Sequence, residues 1–254
     1  MLLFFSTSKK LYNVKSVFEK WHFETIHQVF SAVSSTYDLM NDVMSLGCHH
    51  VWKYAFVQHI NWSALPRSFA YVDMACGSGD VGHMVLQRNH MMHKKNITPF
   101  FVDPNPNMLQ EGKIKHKDDP IQWRQETAEQ CALNSQSIGL YTMAFGLRNV
   151  SNRTECLHNA VRMLAPGGQF WCLEFSWPHH PVLAALYDGY LGLLPAIGQI
   201  IAHNANAYAY LADSIRAFPS PSVIAQEMQA AGLKNTGVHS ISNGIVSIFR
   251  GYKV

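Results

Sequence analysis

Two glycines one residue apart, placed after an acid that ends a short apolar run, carry the clearest chemical signal in the sequence. The run Phe69–Val72 leads into Asp73; Gly77 and Gly79 follow, and a helical pattern begins at Val81. Glycine lets a ligand approach the main chain closely, and a turn that opens a helix presents unpaired N–H groups. In open α/β sheets, nucleotides bind at such turns. The stretch predicts a site for a nucleotide-type ligand, with a purely structural turn as the alternative.

The same stretch is compatible with two cofactors. Gly77-Ser-Gly79-Asp-Val-Gly82 fits the G-x-G-x-x-G pattern of NAD sites, and Asp103 follows about twenty residues later, as that pattern asks. Asp73 favours the other cofactor, because a carboxylate repels a pyrophosphate and attracts the cationic amino-acid end of S-adenosylmethionine. We therefore expect S-adenosylmethionine, and an NAD-dependent oxidoreductase is the less favoured alternative.

The elements that must position this loop alternate between strands and helices, which is typical of a doubly wound sheet. After Asn243-Gly244, which supplies a turn, the last strand should run antiparallel to its neighbour. Strands are predicted at 69–74, 98–103, 121–124, 140–145, 168–174, 238–241 and 245–252, and helices at 80–93, 105–116, 152–164 and 221–231.

Two further stretches follow the ends of predicted strands. Asp103 ends the second strand, where a carboxylate can accept hydrogen bonds from both hydroxyls of a ribose; a helix cap is the alternative. Residues 126–129 (Glu-Thr-Ala-Glu) follow the third strand, where an adenine would lie.

Composition narrows the class of protein. The chain has 254 residues, 48% hydrophobic and 15% charged, which indicates one globular domain over 1–254. A net charge of +3 gives no reason to expect nucleic-acid binding. Five scattered cysteines without a C-x-x-C pair favour a reducing, cytoplasmic setting. None of the 14 histidines has a carboxylate or thiol at metal spacing along the chain, so we expect no metal site.

Two segments flank the predicted sheet. Residues 1–60 read as an N-terminal helical cap, and 1–18 lack acids and carry three lysines, as a transit peptide would. Residues 181–216 read as a helical insertion, and 189–212 contain no charged residue. This insertion is either buried or a wall for a long apolar substrate. Because Gly192, Pro195 and Gly198 interrupt it, we do not expect it to span a membrane.

The chain resembles the ubiquinone/menaquinone biosynthesis C-methyltransferases, which are class I S-adenosylmethionine enzymes that methylate a prenylated quinol ring. The resemblance runs from about Phe30 to Val254. It rests on the segments Tyr37-Asp-Leu-Met-Asn-Asp-Val-Met-Ser-Leu-Gly47, 73–80, Phe145-Gly-Leu-Arg148-Asn149-Val150, Leu164-Ala-Pro-Gly-Gly168, Leu173-Glu-Phe-Ser176, Tyr208-x-Tyr210-Leu-x-x-Ser-Ile215 and Arg250-Gly-Tyr-Lys253.

The resemblance implies a Rossmann-like class I fold: a seven-stranded, mostly parallel sheet with an antiparallel C-terminal strand and helices on both faces. It implies a prenylated quinol as substrate, and therefore a peripheral contact with the inner membrane or with a lipid-associated complex; a homodimer is compatible with it. The implied cofactor contacts are Asp73, Gly77, Ser78, Gly79, Asp103, Thr127, Ala128 and Ala144.

For the chemistry, the expected residues are Arg148, Asn149 and Tyr37. An acceptor ring becomes electron-rich when a phenolic proton leaves, and a guanidinium, which stays protonated, can stabilise the phenolate or hold a water that takes the proton. The alternatives are a structural salt bridge for Arg148 and core packing for Tyr37.

Several positions depart from the family pattern. Cys76 replaces a usual Gly, Thr127 a usual Asn and Ala144 a frequent Ser, and Ile138-Gly139 stands where Phe-Asp is usual. Each lost polar contact costs about 1 kcal/mol, and up to about 3 if a cofactor group is left buried and unpaired. These changes support an alternative function, a scaffold or quinol-binding protein with weakened catalysis.

Overall fold

The computed structural model describes residues 41–42, 44–202 and 204–254. Tyr37 and most of the predicted helical cap lie outside these residues, so their predicted roles stay predictions. Within the cap, the described part includes one helix over Cys48–His59.

All seven described strands form one sheet. The strands are β1 (Ser68–Met74), β2 (Asn96–Val102), β3 (Gln122–Arg124), β4 (Ile138–Ala144), β5 (Leu164–Phe175), β6 (Lys234–Ile241) and β7 (Val246–Tyr252). The helices are α1 (Cys48–His59), α2 (Asp80–Arg88), α3 (Pro106–Lys115), α4 (Arg153–Met163), α5 (Pro181–Ala202), α6 (Ala205–Ala217) and α7 (Pro221–Ala230).

The strand order is β3-β2-β1-β4-β5-β7-β6. Strands β1 to β5 run parallel, and β7 pairs antiparallel with both β5 and β6. The predicted mostly parallel sheet with an antiparallel C-terminal strand is confirmed. Because β1, β2, β4 and β5 are parallel, their carboxyl ends meet at one edge of the sheet, where ligands of open α/β sheets bind.

Two apolar layers cover the faces of the sheet, because successive strand residues point to opposite sides. Tyr71 packs in one layer with side chains of α1, α2 and α6, including Phe56 and Val85. Its neighbour Val72 packs in the other layer with side chains of α4 and α7, including Leu157 and Ile224. Helices therefore lie on both faces, as predicted.

The element boundaries agree with the predicted ones to within a few residues, with three differences. The helix predicted over 80–93 ends at Arg88 and continues as a π-helical turn over Asn89–His93. Strand β5 begins at Leu164, four residues before the predicted position, so Pro166 and Gly167 lie within the strand, where the pairing with β4 shifts register. Strand β6 begins four residues before the predicted position.

The predicted burial of the helical insertion is wrong for most of α5. Helix α5 runs continuously through Pro195. Only 17% of an 18-residue apolar window within Pro181–Ile201 is buried, and the helix is long and apolar enough to cross a membrane by length and composition alone. An exposed apolar stripe is formed by Val182, Leu186, Leu193 and Ile200. Helix α6, by contrast, is largely buried.

Candidate active site

The loop between β1 and α2 turns sharply at the carboxyl edge of the sheet. Ala75, Gly77 and Gly79 have φ angles of 53°, 57° and 89°, and the Gly79 amide donates to the Cys76 carbonyl oxygen at 2.9 Å. A Cβ added at Gly77 would meet no atom within 4 Å, whereas one at Gly82 would lie 2.2 Å from Phe101 Cζ. The backbone at Gly77 is therefore open to a ligand, while Gly82 allows α2 to pack closely on the sheet.

An open cleft lies beside this loop. Four of the eight predicted cofactor contacts line it, namely Asp73, Gly77, Ser78 and Ala144. The other lining residues are Asn41, Lys53, Ala75, Cys76, Asp80, Val81 and Phe145.

Asp73 presents an incompletely paired carboxylate to the cleft. Its side chain is 1% exposed, and Oδ1 accepts a hydrogen bond from Thr142 Oγ1 at 2.6 Å. Oδ2 is buried and has no hydrogen-bond partner among the described residues. Burial raises the pKa of Asp73 to about 7, and the hydrogen bonds from the Thr142 hydroxyl and the Gly82 amide only partly oppose this. Because Asp73 lines the cleft, a cation bound there would favour the ionised carboxylate, which is compatible with the cationic end of S-adenosylmethionine.

Asp80 links three helices at the rim of the cleft. Lys53 Nζ on α1 donates to Asp80 Oδ2 at 3.1 Å, and Lys115 Nζ on α3 donates to Oδ1 at 2.6 Å. Burial opposes ionisation of Asp80, but the two ammonium groups outweigh it and hold the pKa of the carboxyl below its usual range. This ion pair fixes the N-terminus of α2, which carries the glycine loop.

Asp103 ties the end of β2 to the glycine loop and does not line the cleft. Oδ2 accepts from the Gly77 amide and Oδ1 from the Asn105 amide, each at 2.8 Å. The capping role considered from sequence belongs to Asn105, whose side chain accepts from the first-turn amides of α3. Since each carboxylate oxygen has a second lone pair, the predicted ribose contact stays compatible with these bonds.

The predicted adenine contacts lie outside the cleft lining. Ala128 is buried in the apolar layer under α4, and its carbonyl oxygen accepts from Asn159 Nδ2 at 2.9 Å. The Thr127 carbonyl oxygen accepts from the Gln130 amide at 3.3 Å. The structure thus places both residues in the loop after β3, and their contact with adenine stays a prediction.

Arg148 forms a buried ion pair. Its Nη1 donates to Glu174 Oε1 at 2.8 Å and to the Phe145 carbonyl oxygen at 2.6 Å, and its amide donates to Glu174 Oε2 at 3.0 Å. The guanidinium also stacks over the Phe175 ring, 5.2 Å from its centroid. The salt bridge considered as the alternative is therefore present, at the carboxyl ends of β4 and β5, and Arg148 does not itself line the cleft.

Asn149 joins this network to helix α6. Its Nδ2 donates to the Phe145 carbonyl oxygen at 3.3 Å, and Tyr210 Oη donates to its Oδ1 at 3.0 Å. Phe145, which lines the cleft, has a φ of 56°. A positive φ in a residue other than glycine is backbone strain, which concentrates at functional sites. Here the hydrogen bonds to the Phe145 carbonyl oxygen stabilise that conformation.

The positions that depart from the family pattern have separate structural roles. Cys76 lines the cleft, and burial raises the pKa of its thiol well above the usual value, so it is neutral. Ala144 also lines the cleft. A Cβ at Gly139 would lie 2.8 Å from Phe69 Cβ, so the loss of the usual side chain there makes room for a core residue.

Sequence reasoning assigned no role to Thr142, Lys53 or Glu174. Glu174 lies within a segment of the family resemblance, and its position before the end of a strand was the available signal. Thr142 and Lys53 reach Asp73 and Asp80 only through the tertiary fold, so spacing along the chain could not have found them.

Comparison with known proteins identifies the family. The model of the ubiE/COQ5 methyltransferase family matches residues 17–253. The chain is 35% identical to the 2-methoxy-6-polyprenyl-1,4-benzoquinol methylase, mitochondrial, of Oryza sativa, over 96% of this chain and 88% of the relative. It is also 35% identical to the ubiquinone/menaquinone biosynthesis C-methyltransferase UbiE of Nitrobacter hamburgensis, over 90% and 91% of the two chains.

Solved structures agree on the fold. A SAM-dependent methyltransferase of Thermotoga maritima superposes with a TM-score of 0.61 at 16% identity, over 90% of this chain and all of that one. The seven-stranded, mostly parallel sheet is thus that of a class I methyltransferase fold. Together with the match over residues 17–253, this fold leads to one conclusion: the chain belongs to the ubiE/COQ5 methyltransferase family.

Proposed function

We propose that this protein transfers the methyl group of S-adenosylmethionine to a ring carbon of a polyprenylated quinol in ubiquinone or menaquinone biosynthesis. Asp73 carries the proposal, because a buried carboxylate with one unpartnered oxygen beside an open glycine loop calls for a cationic ligand. The names of the relatives support the quinol as acceptor. They favour the enzyme over the scaffold alternative.

The cofactor-holding residues follow from the geometry of the cleft. Asp73 Oδ2 would pair with the ammonium group, the Gly77 backbone would lie against the ligand, and Asp103 would accept from the ribose. S-adenosylmethionine, when bound, supplies a methyl group already activated by the positive sulfur. The chain itself has to align the acceptor carbon, exclude water and manage one phenolic proton.

Arg148 and Asn149 act on the acceptor side in this proposal. Arg148 remains protonated, so it stabilises negative charge on the phenolic oxygen and does not itself take the proton. Glu174 fixes the guanidinium from one side, and Tyr210 fixes Asn149 from another. Tyr37, the third predicted residue, lies outside the described residues.

The insertion encloses the acceptor side. Tyr187 on α5 lies close enough to Arg148 for the guanidinium charge to act on its hydroxyl, although burial dominates and raises the Tyr187 pKa well above its usual value. Tyr190 Oη donates to the Met44 carbonyl oxygen at 3.2 Å, which ties α5 to the described end of the N-terminal segment. These contacts support the second of the two sequence interpretations, in which α5 is a wall for the substrate on the Arg148 side.

The outer face of α5 suits contact with the lipid that carries a prenylated substrate. Leu186, Leu193 and Ile200 are 66%, 60% and 77% exposed and recur every seven residues along the helix. Leu186→Asp/Leu193→Asp should reduce binding to anionic liposomes and raise the KM for a long-tailed quinol, while a short-tailed quinol reacts normally. Leu194 is fully buried, so a charge there would test folding and not membrane contact.

The decisive experiment has two parts. S-adenosylmethionine is first titrated into the folded protein by calorimetry, with S-adenosylhomocysteine and NAD alongside. The protein is then incubated with S-adenosylmethionine and a short-tailed demethylated quinol, and the product is identified by mass and by the ring position of the new methyl group. We expect micromolar cofactor binding, no NAD binding and C-methylation of the reduced ring only. Cofactor binding without transfer to benzoquinols or naphthoquinols would overturn the proposal, and failure to bind the cofactor would favour the scaffold.

A further inference from the structure

Two histidines and an aspartate converge away from the cofactor cleft. His83 lies in the first turn of α2, and His116 and Asp119 lie just beyond the end of α3. One ligand atom from each of the three lies within 4.8 Å of the other two. His83 Nδ1 is 2.6 Å from Asp119 Oδ2, and the two imidazole rings stack with their centroids 4.4 Å apart. Two imidazoles and one carboxylate form a common donor set for divalent metal ions.

His116 gives an independent sign that the cluster lacks a ligand. Its side chain is buried, with the residue 7% exposed, and Nε2 has no hydrogen-bond partner among the described residues. A buried polar atom left unpaired costs free energy, so such an atom calls for an explanation. A metal ion bound through Nε2 would satisfy this nitrogen without any further protein donor.

The backbone around the cluster is fixed by hydrogen bonds. The His83 amide donates to the Gly79 carbonyl oxygen at 2.9 Å, and the His116 amide donates to that of Gly112 at the same distance. The Asp119 amide donates to the His116 carbonyl oxygen at 3.1 Å, which closes a turn that holds both side chains on one side. All three donors therefore lie on regular or closed backbone, as a metal site requires.

We propose that His83, His116 and Asp119 form a zinc site with water in the fourth position. The side chains of His83 and Asp119 are 29% and 28% exposed, so an ion and its water can reach them from solvent. Zinc with ligands at about 2.0–2.2 Å in tetrahedral geometry separates its donor atoms by about 3.3 Å. The His83–Asp119 separation would widen by less than 1 Å, as the ion replaces the shared proton.

The site would tie the start of α2 to the end of α3 beside the cofactor loop. Lys115, next to His116, is paired with Asp80 at the rim of the cleft. A Cβ at Gly112 would lie 2.8 Å from the Ser78 carbonyl oxygen, which shows how closely α3 packs on that loop. We expect zinc to stabilise the fold and not to enter the methyl-transfer step.

A second cluster provides the competing assignment. His49 Nε2 and His50 Nε2 lie 2.8 Å and 3.0 Å from Asp42 Oδ1, so these histidines already share one carboxylate oxygen. The side chain of His50 is 67% exposed and that of Asp42 is 44% exposed. Because it is more open, we expect this cluster to hold zinc less tightly than the site on α2 and α3.

The test is titration of zinc alone into the metal-free protein, in competition with a chromophoric chelator. We expect one tight site per chain, weakened about tenfold or more in both His116→Gln and Asp119→Asn. His49→Gln/His50→Gln is the matched control and should bind zinc as the wild type does. If the variant His116→Gln does not fold, zinc affinity can still be measured in Asp119→Asn, because that change is at a partly exposed residue. Thermal unfolding with and without zinc gives a second readout, with a rise in Tm expected only when the site on α2 and α3 is intact.

Three results would overturn the inference: no stoichiometric zinc binding, unchanged affinity in both His116→Gln and Asp119→Asn, or loss of the tight site in the His49→Gln/His50→Gln control. None of these results bears on methyl transfer, so the zinc site and the proposed function fail separately.

Discussion

Two buried carboxylates at the same edge of the sheet differ in how completely they are paired. Glu174, near the end of β5, is fully buried and accepts three hydrogen bonds, from Arg148 Nη1, the Arg148 amide and the Phe175 amide. Asp73, near the end of β1, is 1% exposed and leaves Oδ2 without a partner among the described residues. One carboxylate has its cation within the chain, and the other has a cleft beside it.

This difference separates a structural ion pair from a binding site. A buried charge is costly unless it is paired, so a carboxylate such as Asp73 either binds a proton or pairs with a cation that enters the cleft. Glu174 serves to hold Arg148 in place, and Asp73 serves to hold something that enters from outside. Variants that remove the Arg148–Glu174 ion pair or the charge of Asp73 test this difference directly.

The largest effect is expected from Arg148→Ala. This change leaves Glu174 buried without its cation, which costs about 3–5 kcal/mol of the free energy of unfolding, or a fall in Tm of about 10 °C for a chain of this size. Methyl transfer should be abolished, with cofactor affinity within a few-fold of wild type. Thermal unfolding, calorimetric titration and the methyl-transfer assay measure the three quantities.

A double variant separates the two roles of Arg148. In Arg148→Met/Glu174→Gln no charge remains buried, so at least about 1 kcal/mol of the lost stability should return. Transfer should stay absent although the protein is folded and binds the cofactor. Full turnover by this double variant would leave Arg148 with a structural role only.

The next largest effect is expected from Asp73→Asn. Loss of a charge-assisted bond to the ammonium group costs about 1.5–3 kcal/mol, so affinity for S-adenosylmethionine should fall about 10- to 100-fold. The asparagine oxygen can still accept from Thr142, so the free protein should lose no stability. Calorimetric titration measures the affinity, and Asp188→Asn on the exposed side of α5 is the matched control. Equal affinities in wild type and Asp73→Asn would mean that Asp73 does not pair with the cofactor.

The pH dependence of binding follows from the same carboxylate. Its pKa is about 7 in the free protein and near 4 when unfolded, so the native state binds the extra proton between these values. Stability of the free protein therefore falls as pH rises through this window, and a bound cation restores it. Affinity should weaken about eightfold from pH 7.5 to pH 6, as the ionised fraction falls from about 75% to about 10%. In Asp73→Asn this part of the pH dependence should vanish. If the affinity of the wild type did not change over this pH range, Asp73 would not be the group that pairs with the cofactor.

Local patterns in the sequence predicted the sheet and the sharp glycine loop that lines the cleft. Alternating strands and helices, the glycines at 77 and 79 and the acid at 73 all act within a few residues of one another, so spacing along the chain reveals them. The cap on α4 is equally local: Asn152 Oδ1 accepts from the Glu155 amide at 3.2 Å.

Features that depend on tertiary packing were not predictable in this way. Arg148 and Glu174 are 26 residues apart, and His83 and Asp119 are 36 apart, so no local spacing marks either pair. Hydropathy identified α5 as apolar but could not say which face is covered. Leu194 is buried and its neighbour Leu193 is 60% exposed, a difference that only the packing of α6 and the sheet decides.

The smallest effect is expected from Tyr210→Phe. This variant tests whether the hydrogen-bond network around Arg148 and Glu174 includes Asn149. The lost hydrogen bond leaves Asn149 Oδ1 without the Tyr210 hydroxyl, at a cost of about 1 kcal/mol and a Tm lower by about 2–4 °C. Because Asn149 also donates to the strained Phe145, kcat should fall a few-fold while cofactor affinity is unchanged. Tyr208→Phe is the matched control, since the Tyr208 hydroxyl is buried without a partner among the described residues, and its removal should be neutral or stabilising. Equal changes in Tm and kcat for the two variants would show that the Tyr210–Asn149 bond contributes nothing, and the network that fixes Arg148 would then end at Glu174 and Phe145.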